Sequence, residues 1–347
     1  MNINIITFFY GNNYGALLQS YYLKKFIEKN FIEKKVSYLD YQPKELIMRE
    51  EYSPILKKNP IKIINGVSRF FKLRKWKKIN IKKKPQYIKK FVEQNSINVY
   101  GSDEIWNFEN PFFGYDDFFF GKFDHNKKIS YAASFGTVKK NNFHKKKIFD
   151  EIKTNLKKFS FLSVRDENSW KLLKNEFKLN SEIVLDPTFL IENTENKDGL
   201  QSTNKTCLLY GNYFSKTQID SIIKYCRLNK LKLLSVGYYN KWAKSNITIN
   251  PFEFIRELKN SEMVITSMFH GVQLAVKYKK NFWFSVDPYR FNKLEYFIKK
   301  LNLENRNIEE HSISKNEIDY IKIYEKMNNW KKFSRDFLLN SIKILDN

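Results

Sequence analysis

"MVITSMFHGVQLAVKY", Met263 to Tyr278, decides how this chain is read. Met263 to Thr266 is a short apolar run of the kind that forms a buried strand, and the apolar residues from Val272 to Tyr278 recur at helical spacing. A strand followed closely by a helix is the repeating unit of a parallel sheet. Such a sheet collects its strand-to-helix joints along one edge, where loops converge and helix N-termini present backbone amides. His270 stands at that joint. An imidazole there can meet an anion beside the helix amides and, near neutral pH, give up a proton. Gly271 lets the backbone come close at the start of the helix. The ordinary alternative is a histidine satisfied inside the fold.

The same alternation runs outward in both directions. Strands are expected near Ile3 to Phe9, Val36 to Leu39, Ile97 to Tyr100, Ile129 to Ala132, Phe161 to Val164 and Ile183 to Leu185. A second series is expected near Cys207 to Tyr210, Leu231 to Val236, Met263 to Thr266 and Phe282 to Val286, with helices at Lys216 to Asn229, Pro251 to Asn260 and Val272 to Tyr278. Between the series, Glu192 to Lys205 is rich in turn formers and reads as a linker. Length agrees, since 347 residues exceed what one hydrophobic core usually serves. The expected division is an N-terminal domain over 1–192, a C-terminal domain over 205–315 and a helical segment over 316–347. That last segment carries Tyr320, Ile323, Met327, Trp330, Phe333, Phe337 and Ile342 as one apolar face, with a break expected near Asn328-Asn329.

Bulk properties exclude some classes. No apolar stretch reaches the roughly 18 residues of a membrane span, and "MNINIITFFYGNNYG" lacks the plan of a signal peptide, so a cytoplasmic location is expected. Cys207 and Cys226 have no neighbours at metal or redox spacing and read as small core residues. The formal charge of +25 invites a nucleic-acid partner. Against it, only nine of the 62 basic residues are arginines, and the planar fork of arginine is what phosphate and base recognition favours. No nucleic acid is therefore expected. From Lys57 to Lys84 there are twelve basic residues and no acidic one, with Ile64, Val67, Phe71 and Trp76 near helical spacing and Phe70 and Leu73 beside them. Such a segment either lies on an anionic membrane surface or is a solvated, lysine-rich excursion.

Polar residues gather where the strands should end. After the first strand comes "GNNYG", with Asn13, Tyr14 and Gly15; after the third, "GSDEIWN", with Ser102 and Asp103; after the fourth, "SFG", with Ser134. The fifth delivers Arg165, the sixth Asp186, and the eighth Gly237 and Tyr238. Each has an ordinary reading: Gly-Ser-Asp as a capping turn, Asp166 as the cap of a helix from Glu167, Arg165 as the partner of a carboxylate, Asp-Pro-Thr as a turn. Their common placement on one rim favours a site.

"NNYGALLQSYYL" (Asn12 to Leu23), "GSDEIWN" (Gly101 to Asn107), "YAASFG" (Tyr131 to Gly136), "SVRDENS" (Ser163 to Ser169), "LDPT" (Leu185 to Thr188) and "FHG" (Phe269 to Gly271), in that order, resemble the polysaccharide pyruvyl transferase family. "NKLEYFIKKLNLENR" (Asn292 to Arg306) and "KKFSRDFLL" (Lys331 to Leu339) carry the likeness nearly to the end. The resemblance implies an α/β fold of two Rossmann-like domains whose parallel sheets face a cleft, as in glycosyltransferases of the GT-B architecture, with the C-terminal helix packing back across. It implies transfer of a pyruvyl group from phosphoenolpyruvate to two hydroxyls of one sugar in a surface-glycan precursor, releasing phosphate and leaving a cyclic ketal. Phosphoenolpyruvate is then the donor substrate, with no obligatory cofactor or metal.

The family's phosphoenolpyruvate-contacting arginine and histidine match Arg165 and His270. Members commonly carry a serine before Phe-His-Gly where this chain has Met268, so that hydroxyl is lost. On the chemistry, Arg165 is a bidentate clamp for the anion, His270 serves the leaving phosphate, and Asp103 is the candidate base, with Glu104 or a capping role for Asp103 as alternatives. Substrate binding is assigned to Arg165, His270, Gly271, Asn13, Tyr14, Gly15, Ser102, Ser134 and Tyr238. Both Arg165→Ala and His270→Ala are expected to abolish turnover without unfolding the protein. The expected acceptor is a glycan or lipid-linked oligosaccharide, with peripheral association at the inner face of an anionic membrane. The competing function is a glycosyltransferase using a sugar nucleotide.

Overall fold

Two asparagines in the middle of apolar strands show how the first sheet is built. Asn4 and Asn98 are paired in register on neighbouring strands, and Asn4 Nδ2 donates to Asn98 Oδ1 at 3.1 Å. Asn98 Nδ2 then donates to Asp124 at 2.8 Å. Buried polar groups of this kind are tolerated because each finds a partner. Around them Ile3, Ile5, Ile97 and Val99 are fully enclosed, as in a parallel sheet covered on both faces.

The computed structural model describes residues 1–52, 60–81, 95–111, 113–192, 204–286 and 291–347. Its strands are β1 (Asn2–Ile6), β2 (Val36–Tyr38), β3 (Ser96–Tyr100), β4 (Lys127–Ser130), β5 (Ser163–Val164), β6 (Glu182–Ile183), β7 (Asn204–Tyr210), β8 (Lys232–Val236), β9 (Ser245–Ile247), β10 (Ser261–Thr266) and β11 (Asn281–Phe284). The helices are α1 (Tyr14–Asn30), α2 (Lys44–Tyr52), α3 (Pro60–Asn80), α4 (Lys140–Lys146), α5 (Phe149–Leu156), α6 (Glu167–Lys171), α7 (Lys216–Leu228), α8 (Pro251–Asn260), α9 (Phe269–Lys277), α10 (Phe291–Leu301) and α11 (Tyr320–Asp346).

The chain divides into two units. The first comprises Met1–Glu50, Lys77–Ile191 and Met327–Asn347; the second comprises Glu51–Trp76 and Glu192–Lys326. In the first, parallel strands run β2-β1-β3-β4. Parallel bridges from Ile129 to Phe161 and from Ala133 to Val164 extend the sheet toward the β5-β6 pair. The strand order reverses between β1 and β3. One face carries an aromatic core that includes Trp106, Phe119, Phe120 and Phe135, where Trp106 Nε1 donates to Phe119 O at 2.9 Å.

The second unit has the order β11-β10-β7-β8-β9, all parallel. Here the order reverses between β7 and β10. Its core packs Cys207, Leu209, Met263 and Ile265 of the sheet against Ile222, Tyr225 and Cys226 of α7. Each unit is thus a Rossmann-like sheet, with the crevice for a ligand expected at the reversal.

Several boundaries differ from the sequence reading. β1 stops at Ile6 because the chain turns at Thr7, whose Oγ1 donates to Ser102 O at 2.6 Å. β9 was not legible: it is three residues, half-buried, and has no apolar run to announce it. α9 begins at Phe269, so His270 and Gly271 lie within its first turn rather than ahead of it. The expected linker, residues 192–205, falls mostly outside the described residues, and its last two residues already belong to β7.

The basic segment is also placed differently. Its described part is α3, and the stretch to Trp76 belongs to the second unit rather than the N-terminal domain. Arg69 Nη1 donates to Gly237 O at 2.5 Å, Lys72 Nζ to Thr248 O at 2.6 Å, and the Ser68 and Thr248 hydroxyls lie 2.9 Å apart. Its apolar residues do not form one face: Leu73 and Trp76 are buried, whereas Ile64 and Phe71 are exposed.

The C-terminal helix shows no break at Asn328-Asn329. Both asparagines are exposed, where they cost only a few tenths of a kcal/mol in helix propensity. The stripe Ile323, Met327, Trp330, Leu338 and Ile342 continues buried past them. The helix starts in the second unit, where Tyr324 Oη donates to Lys277 O at 2.8 Å. It ends in the first, where Trp330 Nε1 donates to Ile183 O at 2.9 Å.

Ser334 completes that attachment. Its hydroxyl donates to Trp330 O at 2.7 Å and accepts from Leu185 N at 2.9 Å, all of it buried. Ser334→Ala should leave a buried amide without its acceptor and lower stability by about 1–3 kcal/mol in urea denaturation. Ser334→Thr, which keeps the hydroxyl, should retain more of that stability.

Candidate functional site

At the reversal in the first sheet, the loops after β1 and β3 are tied to α1. Gln19, wholly buried on the inner side of α1, donates through Nε2 to Thr7 Oγ1 at 3.2 Å and to Ala16 O at 3.0 Å. It also accepts from Ser102 Oγ. The expected substrate-binding hydroxyl of Ser102 therefore lies in the interior, joining two loops. Gln19 is a residue that sequence reading passed over; its signal was a lone amide in the apolar run "GALLQ". Asn13 caps α1, its side chain accepting from Gly15 N at 2.9 Å, and stays partly exposed. Tyr14 and Gly15 are buried.

Asp103 follows Ser102 with φ +82°, a left-handed conformation rare for a side chain other than glycine. Its Oδ1 accepts from Glu104 N at 2.9 Å and from Arg165 Nη2 at 2.9 Å. Arg165, at the end of β5, reaches the second carboxylate through Nη1, 3.3 Å from Asp186 Oδ2. Asp186 in turn accepts from Thr188 N through Oδ1 at 3.0 Å. A guanidinium only 4% exposed is thus held between two carboxylates. Of the three, the Asp103 side chain is the one that reaches the surface, at 14% exposure.

Ser134 is one step away. Its hydroxyl donates to Asp166 Oδ2 at 2.6 Å and accepts from Gly136 N at 2.9 Å, so it too works inside the fold. Asp166 caps α6, accepting from Ser169 N at 2.8 Å, as the sequence suggested. Burial pushes the Asp166 carboxyl above its ordinary range, against the hydrogen bonds from Ser134 and Ser169 that favour its charge.

In the second unit, β7 and β10 end side by side. Gly211, at φ +131°, approaches so closely that a Cβ on it would lie 2.2 Å from Ser267 Oγ. Thr266 Oγ1 donates to Tyr210 O at 2.6 Å and accepts from Met268 N at 3.0 Å, which turns the chain into α9. Met268 is the N-cap and makes no side-chain capping bond, so the positive end of the helix is not screened by a side chain at that position. His270 occupies the first turn at 7% exposure. Gly271 allows the close approach expected of it, but toward the protein: a Cβ there would lie 2.1 Å from Thr266 Oγ1 and 3.0 Å from Tyr210 Cδ1.

Tyr238, beyond β8, is partly exposed; its ring sits 5.5 Å from that of Tyr210 and 5.3 Å from the Arg69 guanidinium. Seven of the expected residues, Asn13, Tyr14, Gly15, Ser102, Asp103, Ser134 and Arg165, lie in the first unit; Tyr238, His270 and Gly271 lie in the second. Among the described residues, no group of three or more His, Cys, Asp or Glu could hold a metal ion.

The family model for polysaccharide pyruvyl transferases matches residues 13–287. The chain belongs to this family. That span contains every side chain described above from Asn13 to Gly271. No curated protein sequence matches the chain. Among solved structures, an uncharacterised protein from Klebsiella pneumoniae aligns with a TM-score of 0.48 and 13% identity over 88% of this chain and 91% of its own. A UDP-GlcNAc 2-epimerase from Methanocaldococcus jannaschii, bound to UDP-GlcNAc and UDP, aligns with a TM-score of 0.44 and 11% identity over 95% and 93%. A UDP-glucosyltransferase from Polygonum tinctorium aligns with a TM-score of 0.45 and 10% identity over 100% and 99%. The fold of this pyruvyl transferase family member is read from its own two parallel sheets.

The burial of Arg165 corrects one expectation. Removing a guanidinium from between two carboxylates leaves both without their cation, and breaking a buried pair costs about 3–5 kcal/mol. Arg165→Ala should therefore lose stability on that scale in urea denaturation, rather than fold like the parent.

Proposed function

We propose that the protein transfers the pyruvyl group of phosphoenolpyruvate to two hydroxyls of one sugar in a surface-glycan precursor. One hydroxyl adds to the enol carbon while the methylene takes up a proton and becomes a methyl group. The second hydroxyl then displaces phosphate from the same carbon, and its proton leaves with the phosphate. The products are a cyclic ketal and inorganic phosphate, and the balance requires no oxidant or reductant.

Family membership supports the reading, and the observation that carries it is His270 in the first turn of α9, at the reversal of the second sheet. An imidazole beside a helix N-terminus suits a dianionic leaving group, to which it hands a proton as the carbon–oxygen bond breaks. Asp103 is the proposed base for the attacking hydroxyl, being the carboxylate of its ion triad nearest the solvent. Arg165 then acts by holding Asp103 at 2.9 Å, because its guanidinium is already engaged by two anions.

The assay is incubation with phosphoenolpyruvate and a glycan pool. Phosphate release together with an acceptor gaining one pyruvyl unit is the expected result, and His270→Ala should reduce it by at least about 100-fold, the scale of a lost general acid. Release of a nucleoside diphosphate from a sugar nucleotide, with no use of phosphoenolpyruvate, would overturn the reading.

We also infer peripheral binding to an anionic bilayer through α3. Its outward side exposes Ile64 by 68% and Phe71 by 60%, with Ile61, Lys75 and Lys78 around them. Apolar side chains ringed by lysines match an anionic headgroup surface. Among the described residues no helix is long and apolar enough to cross a membrane, so the attachment would be to one face. Flotation with phosphatidylglycerol vesicles should carry the protein, more weakly after Ile64→Asp with Phe71→Asp. Equal recovery with neutral and anionic vesicles would remove the idea.

A further inference from the structure

The inner side of α3 faces a recess that the proposed chemistry does not use. Lys62, Asn65 and Arg69 recur at helical spacing and close one wall. The other wall is the carboxyl end of β8 and β9, with Tyr238, Tyr239 and Thr248. The recess is shallow and opens to solvent, so a ligand there would rest against its walls rather than be enclosed. All of these residues belong to the second unit.

Three features of this recess point to an anionic sugar. Its lining carries two cations, Lys62 and Arg69, and among the described residues no acidic one. Arg69 is positioned in advance: Nη1 donates to Gly237 O at 2.5 Å and the guanidinium lies 5.3 Å from the centre of the Tyr238 ring. A guanidinium fixed in this way loses little freedom when it meets a phosphate, and its planar fork matches phosphate oxygens. The remaining lining includes aromatic and amide side chains, with Tyr238, Tyr239 and Asn65 offering rings and hydrogen-bonding groups suited to a sugar. The place agrees as well, because loops beyond the carboxyl ends of parallel strands are where such sheets bind ligands.

We propose that this recess binds the phosphoryl group of a phosphate- or diphosphate-linked sugar, with Arg69 and Lys62 on the phosphate and Tyr238 and Tyr239 against the sugar. The proposal rests on the reading of the protein as acting on a glycan precursor, and it names that acceptor as one still joined to phosphate. Lys62 and Arg69 are binding residues here, separate from the proton chemistry assigned to Asp103 and His270.

Calorimetric titration of the full chain with glucose 1-phosphate tests it. Arg69→Gln should weaken binding by about tenfold, the scale of one lost charge-assisted hydrogen bond. Lys62→Gln, at an exposed position, should weaken it several-fold, and Lys75→Gln on the outward side of α3 should leave it unchanged. The His270→Gln variant should bind glucose 1-phosphate as the parent does, even where turnover with phosphoenolpyruvate is absent. Failure of the pyruvyl reading therefore remains distinct from failure of this one. UDP-glucose and farnesyl diphosphate then tell a nucleotide-linked acceptor from a lipid-linked one by which binds more tightly. No binding of any phosphate probe, equal binding of glucuronate, or loss of binding only in the His270 variant would overturn the proposal.

Discussion

The buried guanidinium of Arg165 holds the carboxyl edge of the first sheet together. Asp103 comes from the loop after β3, Arg165 from the end of β5 and Asp186 from the turn after β6, so one cation joins three strand ends. Burying a charge is expensive unless it is paired, and here two carboxylates and the backbone amides of Glu104 and Thr188 share the compensation. The arrangement fixes a carboxylate in a left-handed backbone conformation at the reversal of the sheet. The Asp103 side chain is thereby held in one orientation by its ion pair and by the amide of Glu104.

The second sheet reaches a similar end through steric means. Gly211 against Ser267, and Gly271 against Thr266 and Tyr210, leave no room for a β-carbon, so β7, β10 and the start of α9 are drawn together. The result is a helix N-terminus set directly on the reversal of the strand order, with His270 in its first turn. Met268 caps that helix without a side-chain hydrogen bond. In one unit an ion triad places a carboxylate, and in the other close packing places an imidazole. Both positions follow from where parallel strands end.

Much of this was legible in the chain itself. The strands of both sheets are apolar runs covered on two faces, which is why their positions could be read within a few residues. Pro251–Asn260 was read to its termini because Asn250 and Glu253 form a capping box and Pro251 starts the helix. β9 was missed because an edge strand of three half-buried residues has no pattern to detect. The break expected at Asn328-Asn329 did not occur because packing of the buried stripe outweighs the weak preference of two exposed asparagines.

The candidate site divides in the same way. Sequence alone determined which residues stand at the strand ends, since that depends on local periodicity and turn chemistry, and six ordered motifs carried the family. Whether a side chain at such an end faces a ligand or the interior is a matter of its three-dimensional neighbours. Ser102, Ser134 and Tyr14 share the rim by sequence, yet their partners are Gln19, Asp166 and the core. Arg165 reads in the sequence as a clamp or a paired cation, and its carboxylate partners lie 62 positions before it and 21 after it, beyond the reach of local pattern. The recess between α3 and the ends of β8 and β9 had no sequence signature at all, because its two walls lie about 170 residues apart and meet only through tertiary packing.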